Sequence, residues 1–90
     1  MLIISYDISD DKVRTRFSKF LSKHGYRLQY SVFRIKNSDR HLEIIIQQIK
    51  DHFMKKFKES DSIMIYPVDE SKMLQFGYSN HEDEDMIIVV

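Results

Sequence analysis

Residues 2–6 read Leu2-Ile3-Ile4-Ser5-Tyr6, a nearly continuous apolar run closed by Asp7. An apolar run of this length is the pattern of a strand covered on both faces. Just beyond it, Ser9 suits an N-cap, and Asp10 and Asp11 complement the dipole of a first helical turn. Val13, Phe17, Phe20, Leu21 and His24 then recur at helical spacing, which predicts an amphipathic helix. Gly25 fits the C′ position that would end it. The polar face of this helix is cationic, with Lys12, Arg14, Arg16, Lys19 and Lys23.

Downstream, Tyr26, Leu28, Tyr30 and Val32 alternate with Arg27, Gln29, Ser31 and Phe33, the period of one strand with one buried face. Asn37, Ser38 and Asp39 make a turn and cap. Leu42, Ile45, Ile46, Ile49, Phe53 and Phe57 predict a second, longer amphipathic helix. Residues 63–66 form another apolar run, ended by Pro67. Residues 73–78 read as a short strand and residues 86–90 as a last one. Two helices among several strands predict an α+β fold of the ferredoxin-like kind, an antiparallel sheet with both helices on one face. The two apolar runs are expected as central strands and the alternating segment as an edge. The final apolar segment needs a sheet edge to pair with, from its own sheet or from a second copy.

Ninety residues allow one domain, expected as a core over residues 1–78 followed by an acidic loop and strand over residues 79–90. There is no Cys, so disulfides and thiolate zinc sites are excluded. No apolar run approaches the roughly 20 residues that span a bilayer, and no signal-peptide pattern opens the chain, so a cytoplasmic location is expected. The formal net charge is zero, which at face value argues against a polyanionic partner. Its distribution argues the other way. Thirteen of the fourteen Lys and Arg residues precede residue 59, against six of the fourteen Asp and Glu. The remainder is acidic, with Glu82, Asp83, Glu84 and Asp85 in one run. Such asymmetry is a signature of polyanion binding by the basic part, although Lys-rich solvated helix faces produce it too.

Among residues able to do chemistry, Asp7 stands at the carboxyl end of an inner strand, where open sheets place functional groups. Mg²⁺ accepts one or two carboxylates plus waters, so one Asp per chain is a minimum that a two-fold dimer would double. Capping of the adjoining helix is the plainer role. Arg14, Arg16, Arg27 and Arg34 can each hold phosphates bidentately. Tyr26, Tyr30, Phe33 and Tyr66 can stack on bases, or can equally belong to a core or an interface. The four histidines, His24, His41, His52 and His81, show no paired metal-binding spacing.

Two stretches resemble a known family. Tyr6-Asp7-Ile8-Ser9-Asp10-Asp11-Lys12, followed by Arg14 and Arg16, resembles the first motif of the small CRISPR-associated adaptation proteins of the Cas-two family. Gly25-Tyr26-Arg27-Leu28-Gln29-Tyr30-Ser31-Val32-Phe33 is similar to that family's second signature, G-x-R-x-Q-x-S-V-F, at the family's separation. The resemblance implies a ferredoxin-like homodimer whose C-terminal strand adds to the partner's sheet. It implies a partnership with the Cas-one integrase, in which the dimer holds spacer-precursor duplex DNA. It also implies Mg²⁺-dependent endonuclease activity on RNA, single-stranded RNA included, or on DNA. By the same resemblance Asp7 is the metal ligand and, with Tyr6, catalytic; Arg14, Arg16, Arg27 and Phe33 are the nucleic-acid contacts. The acidic run matches no motif. A stand-alone toxin-like ribonuclease and a non-enzymatic oligomerisation module are the competing readings of the same fold.

Overall fold

The computed structural model describes residues 1–36 and 38–77. The expected terminal strand over residues 86–90, the acidic run and Tyr78 lie outside the described residues, as does Asn37. Four strands and two main helices follow one another as β1 (Leu2–Asp7), α1 (Asp11–Ser22), β2 (Gly25–Gln29), β3 (Val32–Ile35), α2 (Ser38–Gln48) and β4 (Ser62–Pro67). The sheet order is β2-β3-β1-β4, and every pairing is antiparallel. Each helix therefore crosses over a strand to rejoin the sheet, β3 for α1 and β1 for α2. This is the ferredoxin-like α+β fold that the pattern of elements predicts.

The register fixes which side chains share a face. Leu2 lies opposite Ile35, Ile4 opposite Phe33 and Ile65, and Tyr6 opposite Ile63. With Val13, Phe17 and Leu21 of α1 and Ile45 of α2, these residues build the core. Ring contacts knit it together: Tyr6 meets Phe17 edge-on at 5.1 Å and Phe17 meets Phe53 edge-on at 4.9 Å. Aromatic pairs of this kind add about 0.5–1.5 kcal/mol each beyond the area they bury.

Five details depart from the sequence reading. The segment from Tyr26 to Phe33 is a hairpin, with Tyr30 and Ser31 as its turn, and a bulge between Arg27 and Gln29. The N-cap of α1 is Asp10, whose carboxylate accepts from the backbone N–H groups of Lys12 and Val13 at 2.9 and 3.0 Å. Ser9 instead donates through its backbone N–H and its hydroxyl to Asp61, both at 2.9 Å. Gly25 opens β2 rather than capping α1; a Cβ there would lie 1.9 Å from the Arg34 carbonyl oxygen. The apolar run of residues 63–66 lies in β4 at the sheet edge. Its outward side chains, Met64 and Tyr66, are exposed in the single chain. Residues 73–77 form no strand; Met73 and Gln75 lie over the open face of the sheet with Ile3, Leu28 and Val32.

Beyond α2 the helix widens into a π turn, Ile49–Phe53, and ends in a 3₁₀ turn, Met54–Lys56. The second helix is thus as long as its apolar spacing predicts but not uniformly α-helical. The wider turn brings Phe53 against Phe17 and Phe20.

Candidate nucleic-acid interface

Tyr6 and Asp7 are neighbours in sequence and point to opposite faces of β1, because strand side chains alternate. Tyr6 is on the helix side and is 6% exposed. Asp7 is exposed at the strand's end, and its carboxylate makes no hydrogen bond or ion pair among the described residues. Asp7 is therefore open to solvent, and it caps nothing.

Tyr6 borders a recess of about 160 Å³ whose other walls are Arg14, Thr15, Ser18, Arg27 and Tyr30. The two sequence motifs meet here, Tyr6 and Arg14 from the first and Arg27 and Tyr30 from the second. Both guanidinium groups are held in place. Arg14 donates through Nη1 to the Ile8 carbonyl at 2.9 Å and through Nη2 to the Asp11 carboxylate. That carboxylate holds the Arg14 guanidinium above its ordinary pKa, so it is charged at any physiological pH. Arg27 lies over the Phe33 ring at 5.3 Å, a cation–π contact. Phe33 itself is 1% exposed, so it supports Arg27 from beneath and offers no face for a base to stack on.

Arg16 is placed elsewhere on α1. It lines a separate groove with Val13, Phe20, Gln48, His52 and Lys56, beside the π turn. The groove gathers three basic side chains, and Lys55 and Lys58 follow in the same stretch of chain. Arg34, a candidate phosphate ligand on sequence grounds, is committed internally. It is 2% exposed and bonds to the Glu70 carboxylate and the Tyr26 hydroxyl. Tyr26 is occupied with it, whereas Tyr30 and Tyr66 remain exposed.

Sequence reasoning missed the pairing of His24 with His41, whose Nδ1 atoms lie 2.9 Å apart. Seventeen residues separate them, so no short spacing announces the contact. It also missed Asp61, which gathers the backbone N–H groups of Ser9 and Lys58 and ties the β1–α1 loop to the loop before β4. These donors, that of Lys58 first, hold the Asp61 carboxyl below the ordinary carboxylate range.

No group of three or more His, Asp or Glu side chains able to hold a metal ion occurs among the described residues. A divalent cation at Asp7 would have one carboxylate from this chain, within the range Mg²⁺ accepts when water completes its shell. A second copy would have to supply any further carboxylate. No helix among the described residues is long and apolar enough to cross a membrane.

Comparison with known proteins shows what the chain is similar to. The family model for CRISPR associated protein Cas2 matches residues 1–75. A Nitrosomonas europaea protein named CRISPR-associated endoribonuclease Cas2 1 is 38% identical over 66 residues, 73% of this chain and 60% of that protein. The chain thus spans less than two thirds of that relative. A Methanospirillum hungatei protein named CRISPR-associated endoribonuclease Cas2 2 is 28% identical over 97% of both chains. Among solved structures, a crystal structure of cas2 superposes with a TM-score of 0.67 at 28% identity, covering 97% of this chain and 95% of that one. A hypothetical protein from Thermus thermophilus gives 0.66 at 31% identity, over 76% of this chain and 79% of that one.

Proposed function

The chain belongs to the CRISPR associated protein Cas2 family, and from that premise we propose that it is a homodimeric adaptation subunit that holds spacer-precursor duplex DNA for the Cas-one integrase. The observation that carries the reading is the meeting of the two motifs at one recess, with both guanidinium groups held in place by protein contacts. Groups held in this way bind phosphates without first losing side-chain freedom, and they read no sequence. The Arg16 groove adds a second set of basic side chains, Arg16 from α1 and Lys56 from the 3₁₀ turn after α2. A two-fold dimer doubles both sets, which suits a long polyanion. The edge of β4, unpaired among the described residues and with Met64 and Tyr66 exposed, supports association of two copies.

Endonuclease activity is the second reading. It is favoured by the exposed Asp7 carboxylate, without a partner among the described residues, and by the names of the curated relatives. Mg²⁺ held there would polarise a phosphate and lower the pKa of a bound water. Tyr6 points to the other side of the sheet, so it acts on the nucleic acid from the recess and not beside Asp7.

The test is a reconstituted spacer-integration reaction with the Cas-one partner. Arg14→Ala combined with Arg16→Ala is expected to lose integration, whereas Asp7→Asn keeps it and abolishes Mg²⁺-dependent RNA cleavage. Integration unchanged by the double substitution would contradict the scaffold reading. Cleavage that survives Asp7→Asn would contradict the nuclease reading.

A further inference from the structure

Two histidines that the fold brings together belong to neither cationic site. His24 follows the end of α1, where its backbone N–H donates to the Leu21 carbonyl at 2.9 Å, and His41 lies near the start of α2. Their rings meet edge-on with centroids 5.1 Å apart, and the Phe20 ring packs edge-on against His24 at 5.0 Å. Both residues are half-buried, so the pair is held in place and is still reached from solvent.

The contact runs between the two Nδ1 atoms, 2.9 Å apart. As a hydrogen bond it places a proton on one Nδ1 and leaves a lone pair on the other. A metal ion can take that proton's place. Nitrogens bound to one ion at about 2.0–2.1 Å lie about 2.9 Å apart at a right angle and about 3.4 Å apart at the tetrahedral angle. The observed spacing therefore matches adjacent ligands of a tetragonal ion, and opening by about 0.5 Å reaches the tetrahedral arrangement. Each ring must tilt until both lone pairs meet at the ion. Burial first, then the charges of His41 and Lys23, hold His24 below the ordinary histidine pKa, which keeps its imidazole neutral and able to ligate.

The donor set decides the class of ion. Imidazole nitrogens suit Zn²⁺, Ni²⁺ and Cu²⁺, whereas Mg²⁺ takes oxygen ligands. Among the described residues no Asp or Glu completes the pair to three ligands. Water fills the remaining positions, and the Lys23 charge opposes the ion, so it is exchangeable.

We propose that His24 and His41 form a binding site for a divalent transition-metal ion, which clips the end of α1 to the start of α2. The site uses none of the residues assigned above to nucleic acid or to Mg²⁺, and it stands apart from that reading. Gly25 opens β2 directly after His24, so an ion here also fixes the entry to the strand that carries Arg27.

The experiment is a Zn²⁺ titration of the full chain, first stripped of metal with a chelator, read by calorimetry and by thermal melting. The wild type is expected to bind Zn²⁺ without competition from Mg²⁺. It should melt roughly 3 °C or more higher when Zn²⁺ is about ten times its dissociation constant. His24→Gln and His41→Gln should each weaken binding by roughly tenfold or more, at least what loss of an outer partner of a metal ligand costs. His52→Gln should leave it unchanged. His41→Cys offers a thiolate in the imidazole's place and should bind Zn²⁺ where His41→Gln does not. That rescue separates a ligand from a packing residue, and it serves also where a glutamine variant loses its fold. A wild type that binds no Zn²⁺ overturns the assignment, and so does binding that survives loss of both histidines. A His41→Cys chain that binds no better than His41→Gln overturns it too, as does binding lost in His52→Gln and kept in His24→Gln.

Discussion

Gly25 shows how one missing atom sets the geometry of the candidate interface. It faces Ile35 across the β2–β3 ladder, and a Cβ would meet the Arg34 carbonyl oxygen at 1.9 Å. The close approach seats β2 tightly on β3, two residues before Arg27. Gly25→Ala is expected to destabilise the fold by roughly 1–3 kcal/mol through overpacking. A urea titration checks this, and an unchanged midpoint would contradict it. In the sequence the same glycine reads as a helix C′ residue, because it directly follows an amphipathic pattern. Only the strand partner ten residues later distinguishes the two roles. Arg34 was opaque for a similar reason. Its type suggests phosphate, but Glu70 and Tyr26, far apart in sequence, enclose it. Tyr6, Arg14 and Arg27 were legible as candidates because their motifs are local, whereas the recess that unites them is not.

At the level of elements, the apolar periodicities placed both helices and the core strand β1. The hairpin escaped because apolar and polar residues keep alternating through Tyr30 and Ser31, and no Gly, Asn or Asp marks the turn. Residues 73–77 do alternate, with Met73 and Gln75 inward and Leu74 and Phe76 exposed. Their backbone covers a sheet face instead of joining an edge. The junction of α1 and α2 carries a pH dependence. His24 and His41 share one Nδ1···Nδ1 hydrogen bond, which requires one of the two facing nitrogens to be unprotonated. Burial first, then the charges of His41 and Lys23, hold His24 below the ordinary histidine pKa. A depressed histidine pKa means that the unfolded chain takes up the proton more readily. The stabilisation is therefore complete above the ordinary histidine range and is lost as pH falls through it. Urea midpoints measured between about pH 7 and pH 5 should fall for the wild type and fall less for His24→Gln. Equal losses would contradict the assignment.

For the whole molecule, the edge strand β4 and the segregated charge bear on the same question. Ile63 and Ile65 face the core, yet Met64 and Tyr66 leave the other face of the strand apolar and exposed. The sequence suggested a strand covered on both sides; the described residues cover only one. Charging that face with Met64→Asp and Tyr66→Asp is expected to abolish the proposed dimer, leaving a monomer in sedimentation equilibrium. A dimer that persists would place the association elsewhere. The formal charge of zero hides thirteen cations before residue 59, and α1 presents several of them, with Arg14 and Arg16 at two separate cavities. The central claim is that these arginines hold nucleic-acid phosphates, and the salt dependence of duplex DNA binding tests it most directly. Each phosphate contact contributes a slope of about −0.9 to log K against log[salt]. The wild type should show a steep negative slope. The Arg14→Ala, Arg16→Ala double variant should show one shallower by about two for each chain that contacts the duplex. A double variant that binds with the wild-type affinity and the wild-type slope would contradict the account.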